Sequence, residues 1–151
     1  MPQMVGPEKT LLIVKMCLAV VFLFGGAFGF FYFLYRNSYN ASGWCLLTEI
    51  AAATILQFNA KYLRNQLHAK YSASVMQALK FLTGLAAVAG TVSGIVFIVL
   101  AVKDPFEHFT ITSFYMAAIT AFVSAVWMII LCLDCHKFER ILLNPTISVI
   151  N

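Results

Sequence analysis

Charged side chains are scarce in this sequence. Asp, Glu, Lys and Arg make up 11% of the 151 residues, and apolar residues make up 62%. The charged share is about half of that in a soluble domain. A soluble fold of this length could not hide so many Leu, Phe, Val and Ala side chains. The composition therefore excludes a soluble globular protein and predicts an integral membrane protein, with the lipid bilayer as its surroundings.

Catalytic and nucleic-acid-binding patterns are also absent. The sequence has no phosphate-binding glycine loop, no Ser/His/Asp set, no zinc-type cysteine spacing and no nucleic-acid motif. Its length leaves room for one domain, residues 1–151, with too little polar chain for a separate catalytic domain. We therefore expect neither an enzyme nor a nucleic-acid-binding protein.

Long apolar runs are what the sequence does contain. About 20 apolar residues, rising 1.5 Å each in a helix, cross the hydrocarbon core of a bilayer. Such runs predict an all-α bundle of four transmembrane helices at about residues 16–35, 43–60, 81–102 and 109–133. The segment between the second and third runs, residues 61–80, is basic, and its first part is expected to continue the second helix out of the bilayer.

Small residues recur at helical spacing in the third and fourth runs. Such residues let the backbones of two membrane helices approach closely. We expect both stripes to face neighbouring helices. The two stripes are Thr83, Ala87, Gly90 and Gly94 in the third run and Ser113, Ala117, Thr120 and Ser124 in the fourth.

The distribution of lysine and arginine predicts the orientation. Loops on the cytosolic side of a membrane carry an excess of these residues. Four spans place both termini on one side. If that side is cytosolic, only Arg36 and Lys103 fall on the opposite side. The cytosolic segments then hold Lys9, Lys15, Lys61, Arg64, Lys70, Lys80, Lys137 and Arg140.

Glu49 is the one carboxylate well inside a predicted span. A charged side chain in the bilayer costs a few kcal/mol, so an intramembrane carboxylate usually has a role or is neutral. Glu49 could carry a proton or pair with a cation. Its position close to the exoplasmic end also fits a milder interpretation, a protonated or water-contacting side chain without a transport role.

Histidine and tyrosine side chains lie near both predicted membrane faces. His68 and His136 fall on the cytosolic side and His108 on the exoplasmic side. A haem iron accepts either side chain as an axial ligand. Residues 132–136 formally match the CxxCH pattern of covalent haem attachment, but that chemistry takes place on the exoplasmic side. Cys135 and His136 remain candidates for transient ligation.

The segment His136-Lys137-Phe138 ends the last apolar run and has two interpretations. Basic residues after a membrane helix ordinarily anchor it on anionic lipid headgroups. The same residues could hold a flat dianionic porphyrin, with Lys137 pairing a propionate and Phe138 stacking on the ring. Spacing alone does not choose between these interpretations.

The second half of the chain resembles the haem-responsive-gene family of four-span haem transporters. The resemblance runs without gaps over about residues 77–138 and includes residues 97–102, residues 112–115, Ser124 and Trp127. The family ends this region with an aromatic-Ala-Arg-Lys-aromatic motif. Here the corresponding residues are Asp134, Cys135, His136, Lys137 and Phe138, so the lysine and the final aromatic are kept.

The resemblance implies a function and a set of haem ligands. It implies haem movement toward the cytosol across an endosomal, lysosomal or plasma membrane. His108 matches the family's histidine of the second exoplasmic loop in kind, and Tyr62 is the best candidate for its ligand in the second span. His136, Lys137 and Phe138 would receive haem on the cytosolic side. A homodimer would offer a wider path than one bundle of this size.

Two other functions compete with haem transport. The chain could be a tetraspan scaffold or trafficking protein without a cargo. It could also be a proton-coupled exporter of a small molecule, with Glu49 as the proton carrier. Residues 139–143, Glu-Arg-Ile-Leu-Leu, look like an acidic dileucine sorting signal but are one residue short of the common spacing.

Overall fold

The computed structural model describes residues 6–64, 66–103, 110 and 112–144. Within these residues the chain is all-α. Its helices are α1 (Gly6–Tyr35), α2 (Tyr39–Leu63), α3 (Leu67–Lys70), α4 (Ala73–Lys103) and α5 (Phe114–Leu143). All except the single turn α3 are long and apolar enough to cross a membrane. The predicted all-α, four-span fold class is confirmed.

The helices extend beyond the apolar runs that predicted them. α1 begins at Gly6 and α4 at Ala73, whereas α5 continues to Leu143. Hydropathy marks where a helix leaves the hydrocarbon core. The helix itself can continue past that boundary, because its backbone hydrogen bonds are made within the helix. α5 ends at Leu143, and its C-cap residue Asn144 precedes a proline in the sequence, which cannot continue a helix. The predicted start of the last span at position 109 lies outside the described residues.

The turn between α1 and α2 is set by Asn37. Its φ of 59° is in the left-handed region, which asparagine adopts more readily than most residues. The amide of Ser38 donates to the carbonyl of Phe33, and that of Asn37 donates to Leu34. These bonds form a Schellman motif that satisfies the last carbonyls of α1. α2 therefore starts at once and runs antiparallel to α1.

α5 is the helix around which the others are arranged. It packs against α4 on one side and against α2 on another. α1 reaches it through Phe22, whose ring lies 4.9 Å from that of Trp127. α5 is correspondingly rich in buried residues, whereas the outer faces of α1 and α4 expose leucine, valine and phenylalanine side chains. Those faces are suited to contact lipid.

Close helix approach depends on glycines at two interfaces. A Cβ atom on Gly90 would lie 3.1 Å from Cβ of Ala125 and 3.2 Å from the carbonyl oxygen of Ala121. A Cβ atom on Gly26 would lie 3.0 Å from Cβ of Glu49 in α2. The predicted packing role of the small-residue stripes is confirmed: Thr83, Ala87, Gly90, Gly94, Ser113, Ala117 and Ser124 are buried, and Thr120 is half-buried.

Candidate functional site

Lysines from four helices lie at one end of the bundle, which we call the basic end. Lys15, Lys61, Lys80 and Lys137 belong to α1, α2, α4 and α5 respectively. All but Lys61 contact a residue of another long helix. Lys61 contacts Tyr71, which lies between α3 and α4. Lys15 and Lys80 lie toward the N-termini of α1 and α4, and Lys61 and Lys137 lie near the C-termini of α2 and α5. The antiparallel order of the helices brings these ends together.

An aromatic–basic cluster fills the space between α2 and the end of α5. The ring centroids of Tyr62 and Phe138 are 5.4 Å apart, and Nζ of Lys137 lies 5.6 Å from the Tyr62 ring centroid. Phe58 packs edge-on against both Phe138 and Tyr71. The cluster consists of Phe58, Lys61, Tyr62, Tyr71, Lys137 and Phe138. It brings together three residues that the sequence predicted as haem-binding: Tyr62, Lys137 and Phe138.

Phe138 forms the interior of this cluster. Its side chain is 1% exposed and packs between the rings of Phe58 and Tyr62. Stacking of a bound porphyrin on Phe138 therefore stays a prediction that requires its aromatic neighbours to move. Tyr62 is half-buried, so it is the ring of this pair that is nearer to the surface.

His136 lies on the outer side of α5, apart from the aromatic rings. Its side chain is 47% exposed, and Nδ1 lies 3.8 Å from Oε2 of Glu139, which is beyond hydrogen-bonding distance. The Glu139 carboxylate pairs with Lys80 of α4. The exposed imidazole is therefore accessible to a ligand at the basic end.

The Cys132–His136 segment is helical, which separates its members. Cys135 is fully buried, whereas His136 is exposed. The thiol of Cys132 donates to the carbonyl oxygen of Lys80 at 3.4 Å. An iron bound by His136 at the surface would therefore not reach the Cys135 thiol in this conformation.

An ion pair joins three helices at the basic end. Nζ of Lys15 donates to Oδ1 of Asp134 at 2.6 Å, and Nδ2 of Asn59 donates to the other carboxylate oxygen at 3.2 Å. Asp134 and Asn59 are buried, at 6% and 1% exposure. Within the described part of the chain, the Asn59 Oδ1 atom has no hydrogen-bond partner. We call these three residues the basic-end clamp.

A crevice opens between α1, α2 and α5 on the far side of the clamp. Its volume is about 250 Å³, and its lining is mostly apolar. The hydroxyls of Thr48 and Thr120 in its wall donate to carbonyls of their own helices. The crevice therefore suits an apolar or aromatic group. Its remaining lining residues are Val21, Phe22, Gly25, Gly26, Cys45, Ile119 and Val123.

Glu49 lies on α2 one turn from Cys45, where α2 contacts α1 at Gly26. It is half-buried. No hydrogen bond or ion pair to its carboxylate is made by the residues that the structure describes. The structure thus places Glu49 near the crevice and away from the basic end.

The predicted exoplasmic ligand, His108, lies outside the described residues. His68 belongs to α3. Among the described side chains of residues 10–64, 66–67, 69–103 and 112–144, no three from His, Cys, Asp or Glu come together as a metal site. Tyr62 and His136 are two side chains at the basic end that could bind a haem iron.

The clamp residues were not predicted from the sequence. Lys15 was assigned only to the positive charge of the cytosolic side, and Asp134 only to a departure from the family motif. A sequence signal did exist: Lys15 and Asp134 have opposite charges, and both lie at the cytosolic boundary of a predicted span. Pairing charges across one predicted membrane face would have identified them as candidates.

No family model, curated protein or solved structure matches the chain. The arrangement of its own residues is therefore the basis for assigning a function.

Proposed function

We propose that this chain is a haem transporter that releases haem toward the cytosol at its basic end. One observation supports this function best. Tyr62 of α2 lies beside Lys137 and Phe138 of α5, and together they form one aromatic–basic cluster. The cluster combines a phenol, a cation and flat rings, which are the groups that a haem iron, a propionate and a porphyrin plane would contact.

The residues of the cluster have separate roles in this proposal. The Tyr62 hydroxyl or the His136 imidazole would bind the iron, and each would do so singly. A single axial ligand exchanges more readily than a pair, which suits a site that must release its cargo. Lys137 would pair with a propionate, because its ammonium group already lies over an aromatic ring at the surface.

The direction of transport follows from charge. The basic end would face the cytosol, where lysine-rich segments of membrane proteins are found. His108 would then receive the iron on the opposite face, from the lumen of an endosome or lysosome or from the cell exterior. A homodimer would widen the path.

The proposed sorting signal has a structural restriction. Residues 139–143 belong to α5, and Glu139 pairs with Lys80. Ile141 and Leu142 pack against the buried core. Recognition of this segment as a linear signal would require the end of α5 to unwind, so endolysosomal residence depends on the family resemblance alone.

A haem titration of the purified protein in detergent, followed by absorbance, tests the site. Tyr62→Phe keeps the ring that packs on Phe138 and removes only the hydroxyl. We expect Tyr62→Phe and His136→Ala each to shift the haem absorption band and to weaken binding about tenfold. Tyr32→Phe is the matched control, because Tyr32 lies near the C-terminus of α1, at the end of the bundle away from the basic end, and stacks on Phe28.

Growth of a haem-requiring yeast strain on low haem tests transport itself. Expression of this chain should permit growth, and the triple change of Tyr62, His136 and Lys137 should abolish it at equal membrane abundance. Absence of haem binding together with no improvement of growth by the unchanged chain would favour a tetraspan scaffold instead.

Proton-coupled export is the second candidate function, and Glu49 supports it. Its carboxylate is half-buried beside the crevice and lacks a polar partner among the described residues. A carboxylate within a membrane span is a candidate proton carrier. Export predicts that Glu49→Gln abolishes transport while Tyr62→Phe and His136→Ala leave it intact, which is the reverse of the outcome expected for haem.

A further inference from the structure

Along α1, α2 and α5, crevice-lining residues and clamp residues follow one another in the same spatial order, from the crevice to the basic end. α1 contributes Gly25 and Gly26 to the crevice and, more than two turns further, Lys15 to the clamp. α2 contributes Cys45 and Thr48 to the crevice and Asn59 to the clamp. α5 has the same order, since Ile119, Thr120 and Val123 line the crevice and Asp134 completes the clamp.

A closed layer lies between the crevice and the clamp. It consists of alanine, large aliphatic and aromatic side chains that are 5% exposed or less: Ala19, Ala52, Ile55, Trp127 and Leu131. Phe22 lines the crevice and also packs on Trp127, so it marks where the open space ends. The path between α1, α2 and α5 is thus open on one side of this layer and closed on the other.

The clamp is the polar contact that holds the closed side together. α1 is tied to α5 by the Lys15–Asp134 ion pair and by the Phe22–Trp127 ring contact. Asn59 brings α2 into the same contact, although its Oδ1 atom is left without a partner among the described residues. A buried polar group that is only half satisfied favours a contact that can rearrange, because little is lost when water reaches it.

From these layers we infer that the crevice is the cargo's path and that Lys15, Asn59 and Asp134 form its gate at the basic end. The inference rests on the proposed transport function and adds to it a route and a device that controls release. The apolar ring of an amphipathic anionic cargo would occupy the crevice. Opening of the gate would free the Lys15 ammonium, which can then pair with an anionic group of the cargo.

Thiol labelling of a buried position reports whether the gate is closed. The four native cysteines are replaced by alanine, and a single cysteine is introduced at Ala19, one turn from Lys15 and fully buried. The full chain is reconstituted in lipid nanodiscs and treated with a charged methanethiosulfonate reagent. With the clamp intact, labelling of A19C should be slow.

Disruption of the gate should accelerate labelling. D134N keeps the shape of the side chain and can still accept the hydrogen bond from Asn59, but it removes the charge that pairs with Lys15. This variant should speed labelling of A19C at least tenfold. The exchanged pair K15D/D134K should restore slow labelling. E139Q is the matched control, because it weakens a second ion pair at the same end, between α4 and α5, and it should leave the rate unchanged.

Two outcomes would overturn the gate. One is a labelling rate that D134N leaves unchanged. The other is an equal acceleration by D134N and E139Q, which would show general loosening of the basic end instead of a local gate.

A separate arm distinguishes failure of the gate from failure of haem as cargo. In a variant that keeps only Cys45, bound haem should slow alkylation of this crevice-lining thiol by N-ethylmaleimide. If the protein binds no haem in the titration while the clamp variants behave as expected, the gate is supported and the haem function is contradicted. If it binds haem without protecting Cys45, the crevice is not the cargo's path. If haem protects Cys45 but D134N leaves the labelling rate of A19C unchanged, the crevice path is supported and the gate is contradicted.

Discussion

Single residues set how closely the helices of this bundle approach. In a bilayer, helix association depends on packing and on small residues, because lipid tails solvate apolar side chains as well as another helix does. Gly90 and Gly26 lie directly against the backbone of a neighbouring helix. Gly84, on the same helix as Gly90, would have only the Cys132 sulfur near its Cβ, at 3.9 Å.

Replacement of Gly90 by leucine should therefore separate α4 from α5. Overpacking of a close contact typically costs about 1–3 kcal/mol. We expect Gly90→Leu to lower the melting temperature of the protein in detergent, measured as the loss of helical circular dichroism. Gly84→Leu is the control and should have little effect, because that position opens onto a groove. Equal stability of both variants would contradict the assigned α4–α5 contact.

At the scale of elements, the last turns of α5 are the least expected feature. The apolar run predicted a helix that ends near residue 133, yet α5 continues to Leu143 and buries Asp134, Cys135 and Phe138. These turns close the basic end against α2 and α4. In the segment His136-Lys137-Phe138, which the sequence suggested as a headgroup anchor or a porphyrin site, Phe138 is thus part of the packed core.

Phe138→Ala should destabilise the protein, because it removes a ring that is 1% exposed. Truncation of a buried phenylalanine costs about 3 kcal/mol or more. Leu133→Ala is the matched control on the same helix, since Leu133 is 63% exposed. Chemical unfolding in mixed micelles would measure both. A loss of haem binding in Phe138→Ala without loss of stability would instead indicate a direct stacking role.

At the scale of the whole molecule, the basic end predicts an orientation in the membrane. The lysines of four helices converge there, whereas Arg36 and Lys103 lie near the opposite end. We expect tags on both termini to be reached by antibody after selective permeabilisation of the plasma membrane alone. A luminal tag at either terminus would place the aromatic–basic cluster on the wrong side and would reverse the proposed direction of transport.

The sequence by itself determined the membrane class, the number of spans and the gathering of basic residues at one boundary. Hydropathy and charge are sums over a segment, so they do not depend on how the helices are packed. The same holds for the small-residue stripes, because helical spacing places them on one face before any partner is known. Tyr62, Lys137 and Phe138 were likewise named from sequence as candidates.

Only the tertiary structure decided which polar and aromatic side chains meet. Lys15 and Asp134 are far apart in the chain, and their contact depends on the rotation of α1 against α5. Phe138 was predicted to be available for stacking but is covered by Phe58 and Tyr62. Both outcomes depend on helix rotation, which is set by many weak contacts between helices and leaves no local signal in the sequence.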